Sequence, residues 1–257
     1  MPPGPLAQTF SNNSSPENCS NKFQSFRCQA ENQQLKFKSN NYENYNNQFS
    51  LDELTDALSK SHDTAVGPDD VHYQMLKHLH NDALLTLLNI LNNIWASGKF
   101  PTSWRTSTVK DTSDPSNYHP IALTSCIFNV MERMINSRLV WYLEQNKLIS
   151  PMQCGFRKQC STTDHLVRLE SFVREAFAQR QHAVRVFFDL EKAYESTWKF
   201  GIMRDLHNAG LEFHVRLGFS YSDLFEQEMG VPQGSILSVT LPERDGALSG
   251  QASNAVV

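Results

Sequence analysis

The stretch Val184–Trp198, VRVFFDLEKAYESTW, decides how the rest of this chain is interpreted. Its first half places Val184, Val186 and Phe188 on one face, and this alternation predicts a β-strand that ends at Asp189. A charged, helix-favouring run follows at once. Because a buried carboxylate without a partner is costly, Asp189 needs a divalent cation, a basic side chain or backbone N–H groups beside it. It is either a ligand-binding aspartate at a sheet edge or a cap for the helix that follows.

Composition limits the classes of protein to consider. The chain has 257 residues, of which 40% are hydrophobic and 19% charged, enough for one large domain or two small ones. The net charge of −4 argues against nucleic-acid binding by the field of the whole chain but leaves a local basic groove open. The five cysteines form no CxxC pair, and the histidines lack the spacing of zinc ligands. The sequence also shows no pattern of a secretory leader. We therefore expect reduced thiols in an intracellular protein, nuclear or cytoplasmic.

The pattern along the chain predicts three regions. Residues 1–48, rich in Asn, Ser and Gln, are predicted to be a flexible polar arm or linker, residues 49–241 a folded domain, and residues 242–257 a disordered tail. No apolar run approaches a membrane span of about 18 residues, so we expect no membrane partner. Apolar spacing predicts helices over 49–60, 71–97, 125–147, 161–181 and 197–209, and a short strand over 213–217.

Two loops combine residue types that suit a ligand. GVPQGS (Gly230–Ser235) has two glycines that let a ligand approach the backbone, and Gln233 can both donate and accept hydrogen bonds. GFRKQCSTTD (Gly155–Asp164) places Arg157 and Lys158 before a helix N-terminus, which suits a phosphate. An ordinary solvated turn remains the alternative for each loop.

The order of the motifs resembles one protein family. NYHPIALTSC (residues 117–126), GFRKQCSTTD, VFFDLEKAYESTW and GVPQGSILS follow one another as in reverse transcriptases, specifically those of jockey-type non-LTR retrotransposons. The resemblance runs from about Phe49 to Leu241. It implies an α+β fold: the fingers and part of the palm of a right-hand polymerase, helix-rich, with a small incomplete antiparallel sheet around Ala183–Leu190. It also implies RNA-directed DNA synthesis from deoxynucleoside triphosphates (dNTPs).

The resemblance implies roles for three residues of the opening stretch. Asp189 and the backbone carbonyl of Leu190 would hold Mg²⁺, with Mn²⁺ as a substitute, for two-metal nucleotidyl transfer to a primer 3′-hydroxyl. Tyr194 would lie under the deoxyribose, where its ring leaves no room for a 2′-hydroxyl.

The two loops receive roles in the same way. Gln233 and Gly234 would contact the incoming nucleotide, and Arg157 and Lys158 would contact the template or the triphosphate. The implied partners are an RNA template and a DNA primer, and the resemblance names no protein partner.

The chain departs from the family pattern in its carboxylates. The family's aromatic-Ala-Asp-Asp motif, expected some tens of residues after GVPQGS, does not occur up to Val257, and the pair Asp69–Asp70 lies far upstream. The reaction needs two or three metal-binding carboxylates, and this chain has one, Asp189. The missing carboxylates should lower the rate by several orders of magnitude. We therefore expect a truncated copy that is inactive by itself.

Three further positions depart from the pattern, and other interpretations stay open. Glu195 stands where the family has Asp, and His119 where it usually has Arg. Arg185 stands where the family tends to have a small residue, on the same strand face as Asp189, close enough to be able to pair with it and compete with the metal. A non-enzymatic nucleic-acid-binding remnant, an α/β protein with Asp189 as phosphoryl acceptor, and a chain that never folds stably are the alternatives.

Overall fold

A computed structural model describes residues 15–33, 35, 43–63, 66–67, 69–101, 104, 108–109, 122–187, 194, 197–211, 231 and 236–237. Within these ranges the α-helices are α1 Asn21–Glu31, α2 Leu51–Ser59, α3 Tyr73–Lys77, α4 Asn81–Ser97, α5 Cys126–Gln145, α6 Thr162–Ala178 and α7 Lys199–Asn208. Two short strands, β1 Thr108–Val109 and β2 Ala122–Leu123, pair antiparallel. The chain divides into a larger unit, residues 1–142 with 192–257, and a smaller unit, residues 143–191.

Helix α2 begins where local chemistry predicts. The Ser50 hydroxyl accepts from the Glu53 amide at 3.2 Å, and the Glu53 carboxylate accepts from the Ser50 amide at 2.9 Å, which completes a capping box. Leu54 and Leu58, one turn apart, are buried against the core of the larger unit. The helix predicted over 49–60 is confirmed.

The single long helix predicted over 71–97 is wrong, because the structure has two helices there. Helix α3 ends at Lys77, whose ammonium donates to the Ser61 carbonyl at 2.6 Å, and a ring nitrogen of His78 lies 2.7 Å from the Gln74 carbonyl. The His78 ring thus meets a carbonyl of α3, and the Lys77 ammonium meets a carbonyl just after α2. Helix α4 then runs to the predicted stop at Gly98, where the left-handed φ of 62° suits glycine.

Helix α4 is attached to the segment that precedes α2. The side chain of Asn92, buried in α4, accepts from the Phe49 amide at 2.6 Å and donates to the Phe49 carbonyl at 3.0 Å. The indole N–H of Trp95 donates to the Asn46 carbonyl at 3.1 Å. A buried amide that satisfies both backbone groups of one residue fixes where that residue sits.

Helix α5 supplies much of the core of the larger unit. Val130, Met131, Met134 and Leu139 are each at most 2% exposed, as expected for an apolar face at helical spacing. The helix ends at Gln145, close to the end predicted at residue 147.

The structure describes a helix inside the segment predicted as a polar arm. In α1, Phe23 and Ala30 are buried, and the Phe23 ring meets the Trp198 ring edge-on at a centroid distance of 5.6 Å. The indole N–H of Trp198 donates to the Glu31 carboxylate at 2.8 Å. Sequence periodicity missed α1 because few of its residues are apolar, and its burial depends on a tryptophan far along the chain.

The smaller unit contains α6 and the segment predicted as a strand. Helix α6 begins at the predicted capping box, with the Asp164 carboxylate accepting from the Ser161 amide at 2.6 Å. Residues 181–187, however, form no strand, and Val184, Val186 and Phe187 are 79%, 66% and 83% exposed.

The sheet predicted around Ala183–Leu190 is therefore wrong for residues 183–187, and Phe188–Leu190 lie outside the described residues. A strand is stable only beside a hydrogen-bonding neighbour, and no described segment pairs with residues 181–187. The described β-structure lies instead at β1 and β2, and the strand predicted over 213–217 also lies outside the described residues. In the described part of the chain, none of the helices is long and apolar enough to cross a membrane.

Candidate nucleotide-binding site

The backbone of Tyr194 is joined to the GVPQGS loop. The Val231 amide donates to the Tyr194 carbonyl at an N···O distance of 2.8 Å. The Val231 side chain is buried, and Tyr194 is half-buried. Gln233 and Gly234 lie outside the described residues, but the loop that contains them begins at this hydrogen bond. Two motifs predicted separately to meet one nucleotide are thus neighbours.

The other end of the loop is held by helix α5. The Ile236 amide donates to the Glu132 carboxylate at 3.0 Å, across 104 residues of sequence. Glu132 is only 4% exposed, and Leu237, directly after Ile236, is also buried. Sequence reasoning missed Glu132, although one signal was present: a carboxylate between Met131 and Met134 in a helix with an apolar face.

The predicted metal ligands Asp189 and Leu190 lie outside the described residues. A carboxylate oxygen and a backbone carbonyl are the hard donors that Mg²⁺ prefers, so their chemistry fits that ion. Nowhere in the described ranges do three His, Cys, Asp or Glu side chains group as a metal site would require. The guanidinium of Arg185, predicted to pair with Asp189, lies over the Phe172 ring at 4.8 Å from its centroid.

Arg157 is bound to a carboxylate of its own unit. Its Nε and Nη2 each donate to one oxygen of Glu144 at 2.7 Å, and its Nη1 donates to the Ser150 carbonyl at 3.0 Å. The hydrogen bonds from Arg157 hold the pKa of Glu144 below its usual range. An ion pair with two parallel hydrogen bonds fixes the orientation of the guanidinium and also neutralises its charge. A phosphate at Arg157 would therefore compete with Glu144.

Lys158 occupies the exposed position of the same turn. The Arg157 amide donates to the Cys154 carbonyl at 3.5 Å, and the Cys160 amide donates to the Arg157 carbonyl at 3.3 Å, so Lys158 lies within the second of two successive turns. Lys158 is exposed, and it has no ion pair within the described ranges. The two basic residues thus differ: the Arg157 side chain is paired with Glu144, and the Lys158 side chain is exposed to solvent.

Known proteins similar to this chain are reverse transcriptases. The family model described as reverse transcriptase (RNA-dependent DNA polymerase) matches residues 109–244, more than half of the chain. The chain is 30% identical over 198 residues to the "RNA-directed DNA polymerase from mobile element jockey" of Drosophila melanogaster, covering 69% of this chain and 22% of that protein.

Two other Drosophila melanogaster proteins give similar matches. The "Probable RNA-directed DNA polymerase from transposon BS" is 30% identical over 68% of this chain, and the "Probable RNA-directed DNA polymerase from transposon X-element" is 26% identical over 76%. The chain spans about a quarter or less of the length of these curated relatives. The chain therefore belongs to the reverse transcriptase family and is distantly homologous to the reverse transcriptases of jockey-type non-LTR retrotransposons.

Proposed function

We propose that residues 49–241 are the fingers and part of the palm of an RNA-directed DNA polymerase of a non-LTR retrotransposon, with residues 1–48 as a linking arm and 242–257 as a disordered tail. The observation that carries the proposal is the hydrogen bond of 2.8 Å from the Val231 amide to the Tyr194 carbonyl. It makes neighbours of two segments that the family resemblance assigns to one nucleotide. Its substrates would be dNTPs, and its partners an RNA template and a DNA primer.

In this proposal the chain's own residues bind and select the nucleotide. The Tyr194 ring lies under the deoxyribose and excludes a 2′-hydroxyl by its bulk. Gln233 and Gly234 contact the incoming nucleotide from the loop whose two ends are held at Val231 and Ile236. Holding a loop at both ends limits its movement, and positional errors near 1 Å are already costly for a transfer reaction.

Asp189 and the Leu190 carbonyl are the proposed ligands of Mg²⁺, or of Mn²⁺ in its place. When bound, divalent ions stabilise charge on the attacking and leaving oxygens of phosphoryl transfer. Asp189 itself contributes a fixed negative charge, which orients the triphosphate only in the presence of the cation.

Lys158 is the proposed contact to template phosphate, because it is exposed on a turn held by hydrogen bonds. The contact predicted for Arg157 would require it to release Glu144, so we propose that Arg157 mainly positions the turn that carries Lys158. An exposed ammonium beside a phosphate acts chiefly through charge, and its contribution therefore falls as salt rises.

The 257 residues contain no second carboxylate motif after GVPQGS. We propose that this chain alone binds primer–template and dNTP but does not extend the primer at a measurable rate. A primer-extension assay on an RNA template tests this. Mg²⁺-dependent extension that Asp189→Ala abolishes would contradict the proposed inactivity.

Nucleotide binding is tested with an RNA template and a primer that ends in a dideoxynucleotide. The protein is bound to this primer–template, and heparin is added to trap protein that dissociates. The lifetime of the complex is then measured as a function of dNTP concentration. The complementary dNTP should prolong it only with Mg²⁺, and Asp189→Ala should remove the effect, whereas Asp82→Asn, a change at an exposed side chain of α4, should preserve it. RNA binding that changes neither on addition of dNTP nor in Asp189→Ala would support the non-enzymatic remnant instead.

A further inference from the structure

Among the residues that the structure describes, Glu132 is the only Asp, Glu, Lys or Arg whose side chain is buried. It is 4% exposed, and the other buried polar side chains of the described residues are neutral: Ser61, Asn92, Thr124, Ser125 and Thr197. Its helical neighbours Val130 and Met131 are fully buried. Because burying a carboxylate is costly unless hydrogen bonds compensate, its contacts indicate why it is there.

One contact of Glu132 leaves helix α5 and goes to the end of the GVPQGS loop. The Ile236 amide lies 3.0 Å from a Glu132 carboxylate oxygen, a distance typical of an N–H···O hydrogen bond. The bond therefore attaches a surface loop to one of the most buried helices of the unit.

The opposite end of the loop is attached to a different segment. The Val231 amide donates to the Tyr194 carbonyl at 2.8 Å, so the four residues Pro232–Ser235 lie between two hydrogen bonds. Those four residues include Gln233 and Gly234.

The surroundings of Glu132 form a polar cluster on one side of α5. Tyr73, buried in α3, is hydrogen-bonded to Asn129, and Asn129 accepts from the Thr124 hydroxyl at 2.7 Å. Burial raises the pKa of Tyr73, and the nearby charge of Glu132 also raises it. Glu132 thus lies near a hydrogen-bonded polar group of three residues, and its own hydrogen bond goes to the Ile236 amide.

We propose that Glu132 is a positioning residue for the nucleotide-binding loop, and that it acts through the Ile236 amide. The inference rests on the proposed nucleotide-binding function of that loop. Glu132 does not touch the nucleotide; it fixes the backbone from which Gln233 and Gly234 reach it. Losing the acceptor would loosen the loop and weaken dNTP binding, with little effect on binding of the primer–template.

Native-state hydrogen exchange at single amides tests the contact. Glu132→Leu removes the acceptor, Glu132→Gln keeps a carbonyl oxygen, and Leu139→Ala opens a cavity elsewhere in the same buried helix. Exchange of the Ile236 amide should rise about tenfold or more in Glu132→Leu and much less in Glu132→Gln. Leu139→Ala should raise exchange across the unit without singling out Ile236.

A different pattern of amide exchange is expected if Glu132 only stabilises the larger unit as a whole. Glu132→Leu would then raise exchange evenly across the larger unit, as Leu139→Ala does, and the inference would be overturned. If Glu132→Leu does not fold, Ile236→Pro removes the donor instead. Faster exchange of the Gly234 and Ser235 amides in that variant supports the inference, and unchanged exchange overturns it.

The dNTP-dependent lifetime of the primer–template complex supplies the functional test. In Glu132→Leu, the dNTP concentration that half-maximally prolongs the complex should rise about tenfold. In Glu132→Gln it should stay closer to the wild-type value. Unchanged dNTP dependence in a variant whose loop is loosened overturns the positioning role. Absence of any dNTP effect in the wild-type protein overturns the proposed function instead, while the exchange pattern still decides whether Glu132 holds the loop.

Discussion

Arg138 and Glu53, 85 residues apart in sequence, form a two-point ion pair that ties helix α5 to the start of α2. The Nε of Arg138 lies 2.7 Å from one carboxylate oxygen, and its Nη2 lies 2.9 Å from the other. The same guanidinium donates to the carbonyls of Tyr45 and Gln48 and lies 4.2 Å from the centroid of the Phe49 ring. One side chain thus organises the segment that leads into the domain.

Replacing Arg138 should destabilise the protein more than replacing any exposed arginine. Arg138→Ala leaves Glu53 and the carbonyls that Arg138 serves without their donor, and we expect a loss of about 2–4 kcal/mol in the free energy of unfolding. Lysine cannot reproduce the planar fork, so Arg138→Lys should recover only part of this. Urea unfolding measures the difference.

The matched control is Arg174→Ala, which removes the exposed i,i+4 pair with Glu170. That loss should stay below about 1 kcal/mol. Equal losses in Arg138→Ala and Arg174→Ala would contradict the central role of Arg138.

Stability should fall on acidification partly through Glu53. Burial acts to raise its pKa, but the hydrogen bonds from Arg138 and Ser50 outweigh burial and hold the pKa of Glu53 below its usual range. A carboxyl whose pKa is lower in the folded state contributes stability above its unfolded pKa and loses it as the pH falls through the folded value. The urea midpoint should therefore drop less between neutral and acidic pH in Glu53→Gln than in the wild type. An identical drop in both proteins would show that Glu53 contributes nothing to the acid response.

Lys158 should contribute one phosphate contact to RNA binding. For single-stranded RNA, Lys158→Ala should weaken binding across sequences and lower the slope of log K against log salt by about 0.7. Lys22→Ala, at an exposed position of α1, should leave the slope unchanged. Filter binding over a range of salt concentrations measures the slope, and equal slopes for Lys158→Ala and the wild type would remove Lys158 from the interface.

Gly67 lies too close to the chain after β2 to carry a side chain. A Cβ there would meet the backbone carbon and oxygen of Thr124 at 2.6 Å and the backbone nitrogen of Ser125 at 2.7 Å. Backbone atoms cannot rotate away as a flexible side chain does, so Gly67→Ala should cost about 3 kcal/mol in the free energy of unfolding. Gly98→Ala, at the left-handed residue after α4, should cost about 1 kcal/mol. Thermal unfolding distinguishes them, and a Gly67→Ala protein as stable as Gly98→Ala would contradict the close contact.

Features fixed by neighbouring residues were predictable from the sequence. The capping boxes of Ser50 and Ser161 placed the starts of α2 and α6, because each depends on residues three positions apart. The break between α3 and α4 was not predictable from the apolar spacing, because that spacing continues across residues 71–97.

Features that depend on distant partners were missed or wrong. The alternation at Val184 suits a strand, yet a strand also needs a partner, and the described residues 181–187 have none. In the candidate site the motifs pointed to Tyr194 and the GVPQGS loop. Glu132 could not be found in that way, because its role depends on a contact 104 residues away.

The contact between Trp198 and Glu31 has a consequence for how the chain is made. The two residues are 167 positions apart, so α1 leaves the ribosome long before the indole that covers it has been synthesised. At about 5–20 residues per second, the delay is about 10–30 s. During that interval the Phe23 ring, which is buried in the folded chain, lacks the indole that it packs against.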